Sequence, residues 1–253
     1  MTWLGTNWKM NSHRPQTRAY AERLAEYRRG DGADADLQLF IIPPATSIST
    51  AAEALAGTDV YVGVQNVHWE DSGAYTGEVS VPMAAECGAS IVEIGHSERR
   101  HIFGETDEQI NRKVRATLRH GLIPLVCVGE PLAERRFRTT EEYIARQLKI
   151  ALAEVGAAEV ARVWIAYEPV WAIGVSGTPA EPEYVEIVHA HIRRTLEALY
   201  GPESTREIPI MYGGSVDLEN AGAYTERSHV DGLFVGRAAL DVENLIRLAK
   251  EMG

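Results

Sequence analysis

Eight short apolar runs, each followed by a charged segment of helical periodicity, constrain this 253-residue chain more than any other property of it. The runs are 3–8, 37–42, 60–64, 91–94, 124–128, 163–167, 208–212 and 232–235. The helical segments are roughly 15–29, 45–56, 80–87, 106–120, 139–155, 181–200, 217–226 and 242–251. The runs are apolar throughout rather than alternating, as a parallel sheet covered on both faces requires. Alternation sustained eight times in 253 residues predicts an α/β fold, a single (β/α)8 barrel domain spanning 1–253. An open doubly wound sheet is the competing arrangement, but no Gly-x-Gly-x-x-Gly follows the first run. Pro124 and Pro209 fall at run starts, where a missing N–H costs least.

Charge narrows the partners. With 25 basic and 36 acidic residues the net charge is −11, which argues against nucleic acid or an anionic membrane surface. A small anionic substrate stays compatible, because a local pocket can be positive on an acidic protein. The two cysteines, Cys87 and Cys127, lie in apolar surroundings and read as reduced thiols. No apolar run reaches membrane-spanning length and no leader pattern opens the chain, so a cytoplasmic protein is expected.

In a barrel, chemistry collects at the C-terminal ends of the strands. The first run ends Asn7-Trp8-Lys9 and the fourth ends Glu93-Ile94-Gly95-His96-Ser97-Glu98-Arg99-Arg100. The seventh ends Tyr212-Gly213-Gly214-Ser215 and the eighth Val235-Gly236-Arg237. The sixth is the most informative. It ends in a lone carboxylate, Glu168, followed by Pro169, the apolar stretch Val170-Trp171-Ala172-Ile173, and the small-residue tip Gly174-Val175-Ser176-Gly177-Thr178-Pro179. A strand-end acid, a stiff hinge and an apolar lid place a general base at the mouth of a pocket that can close. Glycine turns leading into helices offer free N–H groups to a phosphate. His96 precedes a helix start, with Ser97 as candidate cap, and a helix N-terminus favours a neutral imidazole. Lys9 supplies the compensating charge. Each residue also has a plainer reading: Glu168 as an ion-pair partner, His96 as a structural histidine, Lys9 as a solvated lysine. Cys127, Trp8 and Trp171 read as packing, and Glu98, Arg99 and Arg100 as supporting ion pairs. The four polar groups together favour catalysis.

These motifs, with Gly73-Ala74-Tyr75-Thr76-Gly77-Glu78, resemble the triosephosphate isomerase family over essentially the whole chain. The resemblance implies a barrel, no metal or organic cofactor, and an aldose–ketose isomerisation of a small sugar phosphate through an enediol. It implies Glu168 as the base, His96 and Asn7 as donors to the enediolate oxygens, and Lys9 as their electrostatic partner. Gly174, Ser215, Gly236 and Arg237 would seat the phosphate. Ser97, Glu98, Cys127 and Tyr212 would support the site. Thr76 would reach a partner subunit in a homodimer.

The resemblance points first to the triose substrates, glyceraldehyde 3-phosphate and dihydroxyacetone phosphate. Four departures from the family pattern favour the alternative, a tetrulose-phosphate isomerase. They are the lid tip Val175 to Pro179, the Gly236-Arg237 turn where a second glycine is usual, Phe234 in place of a leucine over the base, and His68-Trp69-Glu70 near the dimer loop. A longer substrate is expected to be felt at the tip and the clamp. An aldolase would need a Schiff-base lysine where Glu168 stands, and a non-catalytic phosphate-binding barrel would not need the four polar groups together. No His/Asp/Glu cluster has metal-ligand spacing in the sequence.

Overall fold

The computed structural model describes residues 1–30, 36–174 and 177–253. Eight parallel strands close into a barrel in sequence order: β1 Thr2–Asn7, β2 Leu37–Ile42, β3 Tyr61–Val64, β4 Ile91–Ile94, β5 Ile123–Val128, β6 Trp164–Tyr167, β7 Ile210–Tyr212 and β8 Gly232–Val235. The ring closes where β1 pairs with β8, from Trp3↔Gly232 to Thr6↔Val235. Pro124 takes the second position of β5, and Pro209 stands just ahead of β7. The open doubly wound sheet is therefore excluded.

Closure sorts each strand by parity, since neighbours along a strand face opposite ways. Phe40, Ile42, Ile91, Leu125, Cys127, Trp164, Ala166, Met211 and Phe234 pack together as one apolar cluster. Their sequence neighbours Leu39, Ile41, Val92, Val126, Ile165, Tyr212 and Val235 belong to a second, larger cluster that includes the inner faces of the helices. Two residues past an inward position the chain reaches the barrel mouth. Glu93 lies two beyond Ile91, Cys127 two beyond Leu125, and Glu168 two beyond Ala166.

The long helices match the periodic segments. Asp107–Arg119 begins in a reciprocal cap: Gln109 N–H donates to Thr106 Oγ1 (3.3 Å), and the Gln109 side chain accepts from Thr106 N–H (3.0 Å). Segment 45–56 divides into a 3-10 turn, Ala45–Ser47, and a helix, Ile48–Ala54. Segment 217–226 contracts to Ala221–Thr225. Short helices at Ser97–His101 and Leu132–Phe137 precede the long ones after β4 and β5. Five or six residues hold too little periodicity to stand out in sequence.

One buried imidazole sets an acid limit. His189, in the helix Pro182–Tyr200, is fully buried, and its Nδ1 lies 3.0 Å from the carbonyl of His229. A carbonyl only accepts, so Nδ1 carries the proton; Nε2 has no partner. Burial lowers its pKa from 6.5 to about 4. The folded state keeps His189 neutral while the unfolded chain protonates it near 6.5, so this contribution is present above 6.5 and lost as pH falls towards 4. Thermal melts should show a stability loss of up to roughly 3 kcal/mol over that window, flattened in His189→Asn. An unchanged pH slope in the variant would contradict this assignment.

Candidate active site

Glu168 follows β6 and is anchored by its own backbone, its N–H donating to Val128 O (2.8 Å). The approach to neighbouring strand ends is so close that only glycine fits. A Cβ on Gly129 would lie 1.9 Å from the Glu168 carbonyl oxygen, and one on Gly213 would lie 2.8 Å from Glu168 Cγ. The side chain is buried, and its Oε2 has no hydrogen-bond partner among the described residues.

His96 faces it, with Nε2 3.7 Å from Glu168 Oε1. His96, rather than the expected Ser97, is the cap of the helix Ser97–His101: its Nδ1 accepts from Glu98 N–H at 3.2 Å. A nitrogen that accepts from an amide carries no proton, so the imidazole is the neutral tautomer with Nε2–H directed at the base. Ser97 is buried behind it. Gly95 O accepts from Arg100 Nε (2.6 Å), and another Arg100 nitrogen reaches Cys127 O (3.0 Å), tying the ends of β4 and β5 together.

Asn7 ends β1 with both ends of its amide fixed. Oδ1 accepts from Lys9 N–H (2.6 Å), and Nδ2 donates to Glu93 Oε1 (2.8 Å). Lys9 adopts a left-handed backbone, φ 52°, which costs a non-glycine residue on the order of 1 kcal/mol. Its Nζ pairs with Glu98 Oε1 at 2.6 Å. Cys127 is buried beneath the cleft, and burial first, then the Glu168 carboxylate, push its thiol well above the ordinary range. It packs as expected and is no nucleophile.

Asn7, Lys9, His96, Glu168, Ile173, Gly174, Ser215, Phe234, Gly236 and Arg237 line one cleft of about 700 Å³. Phe234 stacks on Phe40 (5.5 Å between centroids), so it forms cleft wall while completing the barrel interior. The lid is latched at several points. Ser215 Oγ donates to Ala172 O (2.7 Å), Arg237 to Gly174 O (2.9 Å), and Ala180 N–H to the Tyr212 hydroxyl (3.2 Å). Pro169 leads into a 3-10 turn, Val170–Ala172. Val175 and Ser176 of the lid tip lie outside the described residues. Thr76 is exposed and does not join the cleft of its own chain.

Two site residues have no role in the sequence reading, where Glu93 appears only as part of a polar strand end. Glu130, fully buried, accepts from the Tyr167 hydroxyl (3.1 Å), Trp171 Nε1 (2.9 Å) and the Tyr184 hydroxyl (2.9 Å). Trp171 is thus more than packing, for it fastens the lid base to this carboxylate. Arg135 lies 4.0 Å over its ring. The second is Glu93, whose donor atom lies within 4.8 Å of those of His96 and Glu168. The sequence spacing concealed this cluster. A cation there would need a lone pair at His96 Nε2, which the tautomer leaves protonated, so the trio reads as a hydrogen-bonding group.

The triosephosphate isomerase family model matches residues 2–252, and the chain belongs to that family. The fold and site thus define a barrel isomerase of small sugar phosphates. A protein of Rhizobium rhizogenes named L-erythrulose-1-phosphate isomerase is 46% identical over 246 residues, covering 96% of this chain and 92% of its own length. A Mycolicibacterium smegmatis protein of the same name is 45% identical, covering 97% and 91%. The crystal structure of triosephosphate isomerase from Bartonella henselae superimposes with a TM-score of 0.85 at 35% identity, covering 98% of both chains.

Removing Glu130 should loosen lid and barrel together. Glu130→Ala strands three donors, and urea titration should register a loss on the order of 2–3 kcal/mol. A change below about 0.5 kcal/mol, the level of an ordinary surface substitution, would show that the hub carries no stability.

Proposed function

We propose that this chain isomerises a phosphorylated four-carbon ketose, L-erythrulose 1-phosphate, by moving one proton between adjacent carbons through an enediolate. The observation that carries the chemistry is the 3.7 Å opposition of Glu168 Oε1 and a neutral His96 Nε2–H across the cleft. The substrate reading is supported by the relatives named for it, at 45–46% identity, against 35% for the triose-named structure. The triose substrates that the motifs first suggest therefore become the second reading.

The residues divide the work. The turns at Gly174, Ser215, Gly236 and Arg237 receive the phosphate at the open side of the cleft. Glu168 removes the proton from C3, and the C3–H electron pair becomes the C2–C3 double bond while the carbonyl pair moves onto the C2 oxygen. His96 Nε2–H, the free N–H of Asn7 and the Lys9 ammonium stabilise that oxyanion, the kind of preorganised term that dominates such catalysis. Protonation at C2 by Glu168, with the hydroxyl proton passed between the two oxygens, leaves the carbonyl on C3. Carbon 1 carries the phosphate ester and cannot become an aldehyde, so the product is a second ketose, an erythrulose 4-phosphate, and not the aldose that the resemblance implies. The lid Pro169 to Ile173 excludes water during this exchange. No step requires a cofactor or metal.

The fourth carbon sits on the enediol carbon remote from the phosphate. We also propose that the chain acts as one domain, 1–253, in a cytoplasmic homodimer. Tyr75, Ile102 and Phe103 are exposed apolar residues that such an interface would cover, with Thr76 near the partner's Asn7 and Lys9. No helix among the described residues is long and apolar enough to cross a membrane.

The test compares kcat/KM on L-erythrulose 1-phosphate and on dihydroxyacetone phosphate, with Glu168→Gln as control. The four-carbon sugar should be preferred by at least about tenfold, a difference of about 1.4 kcal/mol. Glu168→Gln should lose at least about a thousandfold in kcat while folding normally, because an amide accepts no proton. Preference for the triose would return the second reading, and near-normal turnover by Glu168→Gln would remove the base.

A further inference from the structure

Glu93 is a carboxyl group inside an apolar barrel, and the isomerisation described above makes no use of it. It is 0% exposed. Parity turns it inward, on the same face of β4 as Ile91, and its pairing partner on β5 is Leu125. Such a residue is costly to keep unless its polar atoms act on something.

Its two oxygens are unequal. Oε1 accepts from Asn7 Nδ2 (2.8 Å) and from the Cys127 thiol (3.9 Å). Oε2 has no partner among the described residues and no contact with solvent. Glu168 presents the same pattern across the gap, with its Oε2 also buried and unpartnered. Two carboxyl groups this close and this dry cannot both ionise, so one keeps a proton. Glu168 opens on the cleft and faces His96 Nε2–H, whereas Glu93 is closed off from it. Glu93 meets the Asn7 amide and the Cys127 thiol, both on Oε1, and an oxygen that already accepts two hydrogen bonds is the carbonyl oxygen. Its proton therefore belongs on Oε2.

We propose that Glu93 is a positioning residue: a neutral carboxylic acid that fixes the Asn7 amide through Oε1 and directs its Oε2–H at Glu168, so that the base stays ionised and oriented. The proposal rests on the isomerase reading of the cleft. Burial and then the charge of Glu168 push the Glu93 carboxyl well above the usual range, as this arrangement requires. The other groups facing it are Lys9 and Asn7 from the end of β1, His96 and Glu98 from the end of β4, and Cys127 from β5, with Arg100 behind Cys127. Only Lys9 and Arg100 are cationic, and both are already committed, to Glu98 and to Asp107 with backbone carbonyls.

The arrangement also accounts for Asn7. An isolated amide can turn over and exchange its oxygen for its nitrogen. Here Lys9 N–H requires an oxygen on one side and Glu93 Oε1 requires a nitrogen on the other. The amide has one orientation, and its second N–H is left for the substrate.

The experiment has a spectroscopic arm and a kinetic arm. An infrared difference spectrum of wild type minus Glu93→Gln at neutral pH should show a protonated-carboxyl C=O band. This arm needs no substrate, so it decides the protonation of Glu93 even if neither sugar phosphate is turned over. In the kinetic arm Glu93→Leu, which strands Asn7 Nδ2, should lose at least tenfold in kcat with KM within about threefold. Glu93→Gln keeps an acceptor for Asn7 and a donor for Glu168, and should recover most of that loss. It should also lack the alkaline fall in kcat/KM that wild type shows as Glu93 ionises. If Glu93→Leu fails to fold, the Glu93→Gln pH profile and the infrared band still decide. Absence of the band, full kcat in Glu93→Leu, or an unchanged alkaline limb in Glu93→Gln would overturn the proposal.

Discussion

The Glu168 carboxylate is a charge that the surrounding barrel would expel if it could relax, being 5% exposed with one oxygen unpartnered. The structure keeps it by removing every way out. Gly129 and Gly213 let the ends of β5 and β7 close on its backbone, so no room is left for the strand end to shift. The lid above it is fastened by Glu130 below and by Ser215, Tyr212 and Arg237 at its far end. The carboxylate is thereby held on the wall of the cleft.

The donors opposite are prepared in the same way, by fixing protonation and direction before substrate arrives. One backbone N–H, from Glu98, decides the tautomer of His96. Another, from Lys9, decides the orientation of Asn7, and the left-handed turn at Lys9 is part of the cost. The acidic helix start that carries Glu98 also holds Lys9 in place. Charge compensation at the mouth is therefore local, on a protein whose net charge is −11.

Much of this was legible in the sequence because a barrel writes its strands as all-apolar runs and its chemistry as polar interruptions at their ends. The run 232–235 coincides with β8 and 91–94 with β4. Asn7, Lys9, His96 and Glu168 were recognisable as strand-end groups, and the structure brings them to one cleft. Glu93 and Glu130 were not recognisable. Each is a single carboxylate beside an apolar run, where charge ordinarily marks the edge of a core, and whether it points in or out is decided only when the ring closes. Counting by twos from Ile91 would have turned Glu93 inward, but that count needs the barrel first. The cap at His96 was missed for a related reason: Ser97 is the better cap by residue type, while the backbone after Gly95 gives the role to its neighbour.

The central claim is that Glu168 moves one proton between the two interior carbons of a four-carbon ketose phosphate. It is tested most directly by turnover of L-erythrulose 1-phosphate in D2O followed by proton NMR. The account predicts deuterium at the single CHOH carbon of the product and of recovered substrate, with both methylene carbons remaining fully protonated. Conversion without deuterium at that carbon, or deuterium in a methylene group, would contradict it.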